Sequence, residues 1–264
     1  MKEKDDLIRA CIYKLYDFRA NIPANLDSDK VKKVWNVEIE QEKIPKLIHV
    51  QKDLLHRKIE ITERSLKWLV LKPFVRFIGI SGSVASEFPQ DEDDIDLFIV
   101  TKNDTAWIYR LYLYLMNISH KKIRSNEKVR RGEGVKDKFC INLITEERCL
   151  YFEDDIFNLN ELLYIKPVYN KDFLNVIYLN NHWLRDKYFV SEKFLNTEVI
   201  KVKDVKNLTR RNLFLVPINT FCFIGQICFM MVMKHNPDYG RLWRGFLDGK
   251  IEFFPKDFKK EKIN

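Results

Sequence analysis

Apolar positions recur at helical spacing near the start of the chain and again before residue 72. Ile8, Cys11, Ile12, Leu15 and Tyr16 fall on one face of a helix. A turn is expected at NIPANLDSD, and a second helical pattern runs through IPKLIHVQKDLLHRKIEITERSLKWLVL. That pattern stops before Pro73, because proline disfavours helical backbone in the residue before it. From about residue 74 the pattern changes to short apolar runs separated by turns and one amphipathic stretch. Phe74 to Ile80 (FVRFIGI) predicts a strand that enters the tight turn Ser81-Gly82-Ser83, with a short helix from about Val84. Asp93 to Val100 (DDIDLFIV) predicts a second strand, Thr105 to Ser119 a helix, and Lys138 to Ile144 (KFCINLI) a third strand. Beyond about residue 151 helical patterns return, closing on a strand-like piece, Lys250 to Phe254, and a charged tail.

These patterns divide the chain into three regions. Residues 1–65 read as a helical N-terminal region, 66–150 as an α/β core, and 151–264 as a mainly helical C-terminal region. The expected fold class is α/β (α+β), with a short mixed sheet flanked by helices.

Charge adds a partner class. The 264 residues carry a formal charge of +8, which suits a polyanion such as a nucleotide, a nucleic acid or a membrane surface. The five cysteines (Cys11, Cys140, Cys149, Cys222, Cys228) form no CxxC pair, so neither a zinc framework nor a disulfide scaffold is expected. Acidic residues stand where the apolar run of a signal peptide would lie, and a cytoplasmic, reduced protein is expected. Asn212 to Met233 is long enough to span a bilayer. It also contains Asn212, Asn219, Thr220 and Gln226, which are costly in lipid. A buried helix is therefore expected there, and membrane association is the alternative.

The chemistry concentrates in GSVASEFPQDEDDIDLFIV. Gly82 and Ser83 stand after a strand and before a helix, where backbone can approach a phosphate closely and first-turn N–H groups face an anion. The Ser83 hydroxyl offers a further hydrogen bond. After ten intervening residues, Asp94 and Asp96 flank Ile95 at the start of a strand, so both carboxylates leave on one face. Two such carboxylates repel each other and favour a cation between them. Their hard oxygens suit magnesium or manganese, with phosphate oxygens completing the shell.

A glycine-serine turn followed at this spacing by Asp-Ile-Asp in an apolar strand resembles the DNA polymerase beta-like nucleotidyltransferase superfamily. The similarity covers about residues 74 to 145. It extends, through ISGSVA, DDIDLFIVT, TAWIYR, VKDKFCINLIT and FFPKD, to a poorly characterised group of stand-alone bacterial nucleotidyltransferase-like proteins. The resemblance implies transfer of a nucleoside monophosphate from a nucleoside triphosphate, ATP among them, to a hydroxyl or phosphate, with pyrophosphate released. Asp94 and Asp96 would hold the metal. The superfamily usually adds a third carboxylate from a neighbouring strand, and here the aligned polar residue is Asn142, which cannot accept a proton as a carboxylate does. Three readings follow. Asp137, Glu146 or Glu147 acts as base; or the acceptor is already ionised; or the protein binds nucleotide as a catalytically weakened regulator.

Two further features bear on the nucleotide. Arg110 and Trp107 share a helix face, so Arg110 is a candidate phosphate ligand or else an arginine lying over a core tryptophan. Lys121, Lys122, Arg124, Lys128, Arg130 and Arg131 form a basic stretch before the third strand, suited to a triphosphate or an acidic acceptor. The acceptor stays open among a small molecule, a lipid-linked group and a nucleic acid, and oligomeric state is not legible.

Overall fold

The structure is a computed structural model that describes residues 2–19, 27–38, 52–124, 134–196, 210–233 and 238–252. The expected α/β class holds. Among the described residues a five-stranded sheet comprises β1 (Val75–Ile80), β2 (Ile95–Thr101), β3 (Phe139–Glu146), β4 (Lys166–Tyr169) and β5 (Lys250–Glu252). The strand order is β4-β1-β2-β3-β5. β2 and β3 run parallel, and β1 is antiparallel to both β2 and β4, as β5 is to β3. Both edge strands therefore come from the region after residue 150. β4 has the sequence KPVY, whose proline and lack of alternation hide it from a pattern reading; an edge position tolerates the proline's missing N–H.

β2 is buried on both faces from Leu97 to Thr101. Such strands read as continuous apolar runs rather than alternating ones, as DDIDLFIV does. α3 (Lys52–Leu69) precedes the sheet, the single turn α4 (Gly82–Ala85) follows β1, and α5 (Ala106–His120) links β2 to β3. α1 (Lys2–Arg19) places Ile8, Ile12 and Leu15 in the core. α2 (Ser28–Trp35) starts at Asp27, whose carboxylate accepts from Lys30 N at 2.7 Å, a standard use of aspartate at a helix start. After β3 come α6 (Ile156–Tyr164), α7 (Phe173–Asn180), α8 (Trp183–Asp186), α9 (Glu192–Leu195), α10 (Val216–Val232) and α11 (Tyr239–Asp248).

α10 resolves the apolar segment. Its polar residues Asn219 and Gln226 turn inward with Cys222, Phe223 and Met230, while Phe221 and Val232 point to solvent. Asn219 Oδ1 accepts from the backbone N–H groups of Trp107 and Ile108 at 2.9 and 3.3 Å, at the start of α5. Gln226 Nε2 donates to the Trp107 carbonyl at 3.0 Å. Two of the four residues that count against a membrane span, Asn219 and Gln226, are thus the ones that dock the helix on α5. Among the described residues no helix is long and apolar enough to cross a membrane.

Candidate metal and phosphate site

The site lies where four strand ends meet. β1 leads out at Ile80, β2 enters at Ile95, β3 at Phe139 and β4 at Lys166, and the pairings Ile80↔Leu97, Ile80↔Lys166 and Asp96↔Cys140 place these ends together.

Gly82 anchors the turn. Its φ is +65°, and a Cβ there would stand 2.2 Å from Asp96 Oδ2. Only glycine combines that conformation with that approach. Ser81 N donates to the Asp96 carbonyl at 2.9 Å, tying the turn to the strand that carries the acids. α4 is a single turn, so the attraction for an anion comes from its unpaired first-turn N–H groups more than from a long helix dipole. The Ser83 hydroxyl does not stand open to a ligand here: it donates to Asp93 Oδ2 at 2.8 Å, and Gln90 N donates to the same oxygen at 2.9 Å. Asp93 thus fastens the intervening loop to the phosphate turn.

α3 holds the loop from the other side, through residues the sequence reading does not single out. Lys58 is fully buried, and its ammonium donates to the Asp93 carbonyl at 2.6 Å and to Asp137 Oδ1 at 3.2 Å. Arg57 reaches Asp91 at 2.9 Å and Asp137 at 3.2 Å. Asp137, one of the expected bases, is thereby committed to two cations. Glu146 and Glu147 sit at the far end of β3, Glu146 over the start of α5 and Glu147 paired with Arg76 at 2.9 Å. Neither reaches the aspartates, because a parallel neighbour brings only its N-terminal end to the site.

Asp94 and Asp96 do converge. Asp94 is paired with Arg124, the described member of the basic stretch at this site; Lys121 and Lys122 are exposed, and Lys128, Arg130 and Arg131 lie outside the described residues. The Asp96 carboxyl is pushed up to about 7, by burial first, then by the charges of Asp94 and Glu161. A hydrogen bond from Cys140 and the charge of Arg124 act the other way. Burial disfavours a charged carboxylate and a like charge beside it adds to the penalty, so a divalent cation would relieve both. Glu161, on α6, is a further acid that only the tertiary fold brings near.

Cys140, not Asn142, is the residue paired with Asp96 across β2 and β3. The register shifts between Asp96 and Phe98, so simple alternation does not carry across the strand. Asn142 lies on β3, and its side chain is outside the described residues. The ligand atoms of Asp94, Asp96 and Cys140 all lie within 4.8 Å of one another. Two carboxylates and a thiol at that spacing form a donor set for a divalent ion.

Arg110 is not brought to this group. Its guanidinium donates to Gln226 Oε1 and lies 5.3 Å from the centre of the Trp107 ring, and burial pulls its pKa down to about 10. It packs α10 on α5.

Residues 63–156 match the family model described as polymerase beta, nucleotidyltransferase. This segment is a nucleotidyltransferase domain of the polymerase beta-like superfamily. The match covers the phosphate turn and the strands that carry the aspartates and Cys140, from the end of α3 to the start of the helix Ile156–Tyr164. It begins on α3 after Lys58 and stops short of Glu161 and β4. No curated protein and no solved structure matches the chain. The nucleotidyltransferase domain is therefore set by the family match and the geometry together.

Proposed function

We propose that the protein is a metal-dependent nucleotidyltransferase that moves a nucleoside monophosphate from a nucleoside triphosphate to a hydroxyl or phosphate acceptor and releases pyrophosphate. The observation that carries this reading is the contact of Gly82 with Asp96: a phosphate-approachable turn is pressed against a half-buried acid whose neighbours are also acids. Asp94 and Asp96 hold magnesium or manganese in this reading, and the metal would neutralise charge on the reacting phosphate. The turn at Gly82 and Ser83 receives the triphosphate. Arg124 neutralises Asp94 in the structure; with a cation on the carboxylates it is free to turn to a phosphate oxygen, for which a guanidinium is well shaped.

The proton of the acceptor falls to Glu161. Asp137 is held by Lys58 and Arg57, and Glu146 and Glu147 lie at the far end of β3, whereas the charge of Glu161 acts on Asp96. A nucleotide-binding regulator is the second reading. It is favoured by Asn142, an amide where the superfamily usually has a third carboxylate, and by Cys140, a thiol, standing across from Asp96.

The test is pyrophosphate release from each nucleoside triphosphate with magnesium or manganese and pooled acceptors (sugars, lipid-linked phosphates, short nucleic acids). Wild type is expected to release pyrophosphate, and Asp94→Ala/Asp96→Ala to lose at least about 10³-fold of the rate, about 4 kcal/mol. Nucleotide binding that depends on the aspartates, with no release from any acceptor, favours the regulator. No aspartate-dependent binding would sink both readings.

A further inference from the structure

We infer that Cys140 is a metal ligand, and that Asp94, Asp96 and Cys140 form a mixed oxygen-sulfur site selecting a thiophilic divalent ion, zinc or cobalt, over magnesium. This rests on the reading of Asp94 and Asp96 as the metal site; it adds the third donor and replaces magnesium or manganese by a thiophilic ion.

Three observations carry it. Position is the first: β3 runs parallel to β2 and its register sets Cys140 directly across from Asp96, so the sulfur reaches the aspartates without any change of backbone. The ligand atoms of the three residues already lie within 4.8 Å of one another. A tetrahedral ion with metal–oxygen bonds near 2.1 Å and a metal–sulfur bond near 2.3 Å brings its ligand atoms to about 3.5 Å. Closing the trio asks for side-chain movements of about 1 Å, within the reach of rotamer adjustment.

The donor inventory is the second. Asp91, Asp93 and Asp137 are held within the loop and by α3, whereas Asp94 is held by Arg124, a partner that an entering ion would replace. Asp93 accepts from Ser83 and Gln90, Asp91 pairs with Arg57 and Lys136, and Asp137 pairs with Lys58 and Arg57. Among the described residues the trio that converges to metal-ligand spacing is two carboxylates and one thiol.

The chemistry of sulfur is the third. Cys140 is buried, and a buried thiol with no metal would be an inert apolar filler. Here it sits instead against two acids and hydrogen-bonds to one of them. A divalent ion entering the trio displaces the thiol proton to solvent, since thiolate is the ligating form. Thiolate binds magnesium poorly and zinc or cobalt well, whereas an all-carboxylate trio favours magnesium or manganese. A thiol as third donor beside the two carboxylates therefore shifts the metal the site prefers, without dismantling the site.

Cobalt makes the inference directly visible, because a cobalt–thiolate bond gives an intense near-ultraviolet charge-transfer absorption that oxygen ligands do not. The full chain, freed of metal and kept reduced, is titrated with Co2+ alone, then competed with Zn2+ and with Mg2+. Wild type is expected to develop the band with one equivalent of Co2+, and Zn2+ to bleach it at concentrations at least about 10³-fold below those of Mg2+. Cys140→Ser removes the band, and weakens Co2+ binding by about tenfold or more when followed by calorimetry. Cys140→Asp also removes it, but binds Mg2+ more tightly than wild type does. The melting curve of each variant shows that it is folded, and retention of the band in Cys140→Ser would assign it to another cysteine and overturn the inference. Co2+ binding that needs Asp94 and Asp96 but gives no charge-transfer band in wild type would overturn the thiolate assignment and leave the nucleotidyltransferase reading intact. Failure of Co2+, Zn2+ and Mn2+ alike to bind, with or without ATP, would overturn both.

Discussion

Each end of the central sheet carries a carboxylate backed by a glycine of positive φ, half-buried at one end and buried at the other. At one end Gly82 (φ +65°) faces Asp96; at the other Gly249 (φ +81°) faces Glu146, where an added Cβ would stand 2.7 Å from Oε2. The surroundings differ in sign. Glu146 Oε1 accepts from the backbone N–H groups of Thr105 and Ala106 at 3.1 and 3.3 Å, and its Oε2 pairs with Arg148 at 3.0 Å. Asn219 takes the next two N–H groups of α5. Every partner there donates, so the carboxylate completes a helix start. Asp96 stands instead among Asp94 and Glu161, and burial and those charges raise its pKa to about 7. The first cluster is finished without a ligand. The second keeps an unrelieved penalty on Asp96 even with Arg124 beside Asp94, and such a perturbed group is a candidate for a site.

The sharpest break of that contrast is at Gly82. Gly82→Ala forces a Cβ to within 2.2 Å of Asp96 Oδ2 unless the turn or the acid moves, and a displacement of that order costs about 10²-fold in rate. The expected outcome is a folded protein with about a hundredfold lower pyrophosphate release and weaker metal binding. Full activity in that variant would mean that the turn and Asp96 do not act together. At the other end, Glu146→Ala removes the acceptor for two buried N–H groups and leaves Arg148 without its carboxylate. Breaking a buried pair in this way costs about 3 kcal/mol, or about 6–12 °C of Tm for a chain of this size. Measured well below that lowered Tm, activity per folded molecule is expected to stay within about twofold of wild type.

Much of the site was legible because its signals are local. The glycine-serine turn, the ten-residue spacing and the two acids flanking Ile95 need only the alternation of a strand, and the three core strands announce themselves as apolar runs. What was not legible depends on register and on contacts far apart in sequence. Asn142 has the polarity expected of a third site residue, but the shifted register sets Cys140 beside Asp96. Arg110 does share a face with Trp107; the sequence does not say that the face meets Gln226 of α10, 116 residues away. Lys58 and Glu161 carry no local mark at all. The first matters because it buries a cation under the Asp93 loop, the second because α6 carries it toward Asp96. Charges placed by such long-range packing are visible only once the chain is folded.

The finished cluster should also be divisible into parts. Asn219→Ala leaves Trp107 N and Ile108 N without their side-chain acceptor but spares Glu146. Loss of such a cap costs about 1 kcal/mol, a fall of about 2–4 °C in Tm, with pyrophosphate release unchanged. Combined with Glu146→Ala the loss is expected to depart from the sum of the two, since both side chains serve one helix start. A strictly additive double variant would show that the four N–H groups are capped independently.

The opposite sign is expected at the site itself. In metal-free protein the Asp96 carboxyl titrates near 7, above the value of about 3.9 expected for an unfolded aspartate. The folded state therefore binds the proton more tightly than the unfolded one. Its stability is highest below about pH 4 as far as this group is concerned, falls as the pH rises toward 7, and is level above that. Asp96→Asn removes the charge and with it the penalty. At pH 8 in EDTA the variant is expected to melt about 3–6 °C above wild type, equivalent to about 1–2 kcal/mol. The difference should shrink toward zero near pH 4, although the variant is inactive throughout. Saturating metal should narrow the gap at pH 8, because wild type then gains binding energy that the variant cannot match. Equal melting temperatures in EDTA at pH 8 would show that Asp94 and Glu161 impose no strain on Asp96, and the contrast between the two ends of the sheet would lose its electrostatic basis.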